Sequence, residues 1–324
     1  MDKNELPQKF TVGQSITLNA SLTPEQYRML AEWSARIPKM YLLDICVVNA
    51  TKLLETSLTQ GGRKYKLVER LHELDRPNNC FSYLCALMEK VSDSHGKATD
   101  TELEEQILSD LSSMRAFFKK AQVYEPDDFV IAFLKELRKE PIELKRPDYL
   151  EFLNSLNNKF SHKDPVSPKH RLKKAKDIIE KADNLSISRQ HPIVAIALAC
   201  IYGNIAAKKL MKFKAAPQKF DAENALADIM LIYRISIVKL QIEHMGLNGV
   251  RFLRTKFITD DDGLSEVIKC FKAKTVEYEA IDDGCKTQLT MTVELRQMLT
   301  EIQSEEYGII LDLLLQIPEE QVLR

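Results

Sequence analysis

A helix-rich α/β protein with a short, mostly parallel sheet is the fold class that three features of the sequence predict. Met40-Tyr41-Leu42-Leu43 is uniformly apolar and ends in Asp44, which suits a strand covered on both faces. Phe252 to Ile258 is rich in aromatic and β-branched residues and ends in Thr259-Asp260-Asp261-Asp262. Most of the remaining chain has helical patterning, punctuated by prolines.

The elements follow in order. Thr23-Pro24-Glu25-Gln26 offers an N-cap, a first-turn proline and a capping-box glutamine, so a helix is predicted to about Arg36. After Asp44 the next helix is expected over Ala50 to Glu55. Gly61-Gly62 breaks the chain, helical pattern resumes over Leu67 to Leu74, and Phe81 to Lys90 reads as a mostly apolar helix. From Thr99 to Asn184 the pattern is helical in 101–120, 127–139, 148–158 and 170–184. His191-Pro192 opens an apolar block to Tyr202, and Asp221 caps a long helix over Ala222 to His244. After the Phe252 to Ile258 strand, a short helix (Ser265 to Phe271), a strand near Thr275 to Tyr278 and helices around 292–304 and 306–316 are predicted.

Composition narrows the classes. An apolar fraction of 44% supports a real core, and 29% charged is ordinary for a soluble surface. Forty-six basic and 47 acidic residues leave a net charge of -1, so a polyanionic partner would need a local basic patch. Lys169, Arg171, Lys173 and Lys174 are one candidate patch for nucleic-acid contact; a solvated helix face is the simpler alternative. Lys208, Lys209, Lys212 and Lys214 form a second group with the same two readings. Six cysteines without a C-x-x-C pair read as buried thiols in a reducing compartment. The runs Ile193 to Tyr202 and Ile309 to Leu315 are too short to span a bilayer, and the first residues lack a secretory profile, so no membrane partner and a cytoplasmic location are expected. A glycine-rich phosphate loop of the G-x-x-x-x-G-K type is absent, which argues against an ATPase.

The acids carry the chemistry. Asp44 and Asp260-Asp261-Asp262 stand at strand ends, where open α/β sheets place their sites. Asp228 lies among apolar residues of the long helix, and Glu89 follows Ala86-Leu87-Met88. Acids in apolar settings are costly unless paired or bound to a cation. Gathered together they would suit Mg2+ or Mn2+, which prefer carboxylates and water. Each also has a plainer reading. Asp44 and Asp260 to Asp262 are good caps for following helices, Glu89 is an ordinary helix-end acid, and Asp228 can pair with Arg234 or Lys239. His191, before a proline, reads as a helix start rather than a catalytic group.

Tyr41-Leu42-Leu43-Asp44, Tyr83 to Glu89, Leu226-Ala227-Asp228-Ile229-Met230-Leu231 and Phe257 to Leu264 together resemble the PIN-domain ribonucleases. The resemblance implies a PIN-like α/β sheet with Asp44, Glu89, Asp228 and Asp261 as catalytic, metal-holding acids and Thr259 as an auxiliary residue. It further implies metal-dependent endonucleolytic hydrolysis of RNA, a toxin or defence role, a homodimer, and an inhibitory partner protein. The likeness divides the chain into an N-terminal helical extension (1–39), a split PIN-like domain (40–94 and 191–280), a large all-helical insertion (95–190) and a C-terminal helical region (281–324). Typical members are less than half this length, and Ile45-Cys46 stands where a small hydroxyl residue is common. A non-catalytic interaction or regulatory protein on a degenerate PIN-like domain is the alternative.

Overall fold

The computed structural model describes residues 21–53, 58–93, 98–139, 145–160, 166–247, 252, 254–281 and 284–315. Met1–Ile37 and Pro38–Arg324 are separate compact units. The first holds α1 (Pro24–Ala35), which starts as its sequence predicts. The Thr23 hydroxyl accepts from the Gln26 N–H, and the Gln26 side chain accepts from the Thr23 N–H.

The second unit begins with β1 (Lys39–Leu43), which runs into α2 (Ile45–Ala50) and α3 (Arg63–Leu74). Next come β2 (Asn79–Ser82), α4 (Leu84–Asp93), α5 (Asp100–Phe117), β3 (Gln122–Val123) and α6 (Asp127–Lys139). Helices α7 (Arg146–Phe160), α8 (Pro168–Asn184), α9 (Pro192–Ile201), α10 (Ile205–Met211) and α11 (Ala222–Leu247) follow. The chain then returns to the sheet as β4 (Arg254–Ile258), followed by α12 (Asp262–Val267). A hairpin of β5 (Phe271–Ile281) and β6 (Gly284–Val293) leads to α13 (Leu295–Met298) and α14 (Ser304–Leu315). Among the described residues no helix is long and apolar enough to cross a membrane.

The four-stranded sheet has order β3-β2-β1-β4 with every pairing parallel. Both faces are covered, which explains the unbroken apolar run of β1. Met40 and Leu42 enter one core with Cys80 and the α9 and α11 helices; Tyr41 and Leu43 enter the other with Phe81, Val123 and Ile258. The small parallel sheet in a helix-rich α/β protein is therefore present as the sequence predicts.

Four local expectations are corrected. The helix expected from Ala50 starts at Ile45, because Asp44 caps it directly; residues 54–55 lie outside the described set. Asn79–Ser82 is a strand, and the helix read from Phe81 starts at Leu84. Four residues are too few for periodicity to separate strand from helix, and pairing with β1 decides the matter. The 95–190 segment, expected to be all helical, contains β3, held by two residue pairs to β2. The 281–324 region, expected to be helical, contains β6, which pairs antiparallel with the preceding β5 as a hairpin.

Candidate acidic site at the carboxyl edge of the sheet

The chain builds β1, β2 and β3 outward in one direction, then returns to lay β4 on the opposite side of β1. Such a reversal opens a crevice at the carboxyl ends of β1 and β4. Leu43 is registered against Ile258, and the Asp44 N–H donates to the Ile258 carbonyl. Asp44 and Thr259 therefore leave the sheet side by side at that crevice.

Asp44 is 3% exposed. Its carboxylate accepts from the Val47 N–H at 2.9 Å, capping α2, and also from the Thr259 hydroxyl. The Thr259 hydroxyl accepts in turn from the Asp261 N–H at 2.9 Å, which leaves its own proton directed to Asp44. Burial pushes the Asp44 carboxyl up to about 6; the bonds from Thr259 and Val47 oppose this, and the nearby charges of Asp228 and Asp260 add to it. Asp44 is thus both the helix cap and a strained acid.

Glu89, buried on α4, accepts from the Ile45 N–H at 3.2 Å, one residue past Asp44. Asp261 caps α12 by accepting from the Leu264 N–H at 2.8 Å. Gly263 allows a close approach there, since a Cβ would meet the Ala206 carbonyl and the Leu210 N of α10 at 3.0 Å each and Asp261 Oδ1 at 3.1 Å. The neighbouring acids point elsewhere: Asp260 pairs with Arg63 at 2.7 Å and Lys64 at 2.6 Å, and Asp262 with Arg63 at 3.1 Å. Burial alone would raise Asp260, but the Lys64 and Arg63 bonds hold it below its ordinary range.

Asp228, largely buried on α11, forms an ion pair with Lys212. Arg234 is buried and donates to the Ser92 hydroxyl. Lys212 ends α10 in the left-handed conformation, at φ 54°, and also reaches Asn224 Oδ1. Burial pulls the Lys212 ammonium down, but the Asp228 bond and the fields of Asp228 and Asp261 outweigh it and hold the group charged. The Cys46 thiol joins these acids into one neighbourhood. Desolvation, then the charges of Asp44, Glu89 and Asp228, push it up to about 11, so it is no thiolate nucleophile. Cys46 is solvent-facing, a correction to its reading as a buried thiol; Cys80, Cys85, Cys200 and Cys270 are buried and form no disulfide, and the Cys285 side chain lies outside the described set.

All four predicted acids, with Thr259, thus come to one edge. Two further residues bear on this edge, Lys212 of the second basic group and Glu125. Lys212 supplies the cluster's ammonium; its position at a helix end within a lysine-rich run was the only available signal. Glu125, buried after β3, accepts from Ser82 Oγ at 2.5 Å and the Tyr83 N–H at 2.9 Å, and braces the turn out of β2. An acid before Pro126, after a very short strand, marked it weakly.

The α8 cluster is a different matter. Arg171 is buried and donates to the Val166 and Glu301 carbonyls while pairing with the Glu301 carboxylate, so it is a packing residue rather than a phosphate contact. Lys169 and Lys173 are exposed and Lys174 is half-buried, on a helix that packs against α7, α9 and α14 rather than against the acid-bearing elements. His191 caps α9, as its sequence context predicts.

The donor set has the hard oxygens that Mg2+ or Mn2+ prefer, and Asp44 is raised mainly by burial, with a smaller contribution from the charges of Asp228 and Asp260. Among the described residues, however, no three acidic, histidine or cysteine side chains stand as a group ready to hold a metal ion. Asp228 is turned to Lys212 instead. Fold and site together define a parallel α/β protein with an acidic crevice at its sheet edge. Comparison with protein-family models, curated proteins and solved structures finds no match.

Proposed function

We propose that this protein is a metal-dependent endoribonuclease of PIN-like type, hydrolysing RNA phosphodiester bonds, with a toxin or defence role. The observation that supports it most is that Asp44, Glu89 and Asp228, distant in sequence, all act on Cys46 near the switch point of a parallel sheet, with Asp261 bonded to Thr259 beside Asp44. These four acids would hold Mg2+ or Mn2+, which when bound neutralises charge on the scissile phosphate and makes water a better nucleophile. Thr259 fixes the Asp44 carboxylate through its hydroxyl. The burial that raises the Asp44 carboxyl favours a bound cation beside it, which would hold it ionised as a ligand. Arg63 and Lys64, half-exposed at this edge, could contact an RNA backbone only by exchanging their pairs with Asp260 and Asp262. An inhibitory protein partner and a homodimer belong to the same proposal.

A second reading is a non-catalytic interaction or regulatory protein on a PIN-like domain. The Lys212 ammonium on Asp228 favours it, because a tethered cation already relieves part of the acidic charge. Manganese-dependent cleavage of single-stranded and transfer-like RNA by the purified protein distinguishes the two. The nuclease reading expects cleavage that Asp44→Asn abolishes; equal cleavage by both proteins refutes it.

A further inference from the structure

A cavity of about 780 Å³, lined by none of the four acids, lies between α7, α9, α11, the β5–β6 hairpin and α14. That volume is within the roughly 300–1,000 Å³ span of small-molecule sites. Ile229, Met230 and Tyr233 of α11 form one wall, and Leu311 and Leu314 of α14 face it. None of its described lining residues is acidic, whereas Lys145, Arg189 and His191 all line it.

These three groups are not equivalent. Arg189 donates through Nε and Nη2 to the Asp183 carboxylate, both at 2.8 Å, so its charge is already matched. The Lys145 ammonium, by contrast, donates to the neutral Ser186 carbonyl at 2.6 Å and has no carboxylate partner among the described residues. His191 Nδ1 accepts from the Ile193 N–H at 3.1 Å, so that nitrogen carries no proton and the neutral ring presents Nε2–H as a donor. The imidazole is stacked on Tyr149 at 4.6 Å, which fixes its plane. Burial, then the charge of Lys145, hold it neutral, down at about 4, and the second cause shows that the ammonium and the ring are close.

We propose that this cavity binds a free aliphatic monocarboxylate, its chain against α11 and α14 and its head between the Lys145 ammonium and the His191 Nε2–H. An unmatched cation beside a fixed neutral donor suits a carboxylate, and apolar walls suit an uncharged chain. Neither an alcohol nor an amine of the same length matches that pair: the alcohol lacks charge and the amine meets Lys145 with like charge.

Titration calorimetry of the full chain with decanoate, held below its micellar concentration, tests this against decanol and decylammonium. Saturable one-to-one binding of decanoate is expected, with decylammonium at least tenfold weaker. Lys145→Gln, an exposed position that leaves the core intact, is expected to weaken decanoate about tenfold, the usual worth of a charge-assisted hydrogen bond. The His191 ring resonances should shift on addition of decanoate. No saturable binding, equal binding of the amine, full affinity in Lys145→Gln, or unmoved His191 resonances would each overturn the proposal.

Discussion

Asp44 offers a sharp test, because its burial opposes folding. The folded carboxyl stands at about 6 against an ordinary value of 3.8, so the folded state binds a proton more tightly than the unfolded chain. A raised carboxyl contributes stability at low pH that is lost as pH rises through the window from 3.8 to about 6. Linkage across that window gives a penalty of about 1.6 kcal/mol at pH 5 and about 3 kcal/mol at pH 7.5, constant above that. Asp44→Asn removes the titration while keeping an N-cap acceptor, since asparagine caps as well as aspartate. The variant should therefore gain stability relative to wild type by about 1.4 kcal/mol between pH 5 and pH 7.5, whatever constant offset the lost Thr259 bond adds. Urea denaturation of both proteins at the two pH values measures that difference of differences. A gap that is unchanged with pH, or that moves against the variant as pH rises, refutes the strained-acid argument and leaves Asp44 as a simple cap. Saturating Mn2+ should stabilise wild type more than the variant if the acids hold the ion.

Other sites give independent checks. Lys212→Met should tighten Mn2+ binding by about tenfold in calorimetry, because the charge-assisted bond to Asp228 no longer competes; unchanged or weaker affinity refutes competition. Gly263→Ala should destabilise by about 1–3 kcal/mol in thermal unfolding, since its Cβ would press on α10 backbone that has no side-chain freedom to yield. Buried Asp110 accepts from Lys52, from Lys90 at 2.6 Å and from the Tyr83 hydroxyl at 2.6 Å. Asp110→Asn should cost about 3–5 kcal/mol in urea unfolding by leaving those cations unmatched, and a near-neutral change would show that the two lysines relax into solvent.

Periodicity and caps, which are local, were legible. The capping box of α1, the span of α11 and the apolar strand before Asp44 depend on neighbours within a few residues. β2, β3 and β6 were not legible as strands. Asn79–Ser82 and Gln122–Val123 are too short to carry a period, and each exists because a strand from elsewhere lies beside it. The same limit applies to chemistry. Asp44 and Asp261 looked equally like caps and like site acids, and they are caps that share one crevice.

What the sequence by itself determined is the class of fold and the identity of the acids, because burial patterns and strand-end carboxylates are written in consecutive residues. Tertiary structure alone decided which charges meet. It set Lys212 on Asp228, turned Asp260 and Asp262 toward α3, and withdrew Arg171 from the surface. Those pairings span 16 to 199 residues of chain except for the Arg171 bond to Val166. Electrostatic partners across such separations are chosen by how helices pack, and no local pattern encodes that choice.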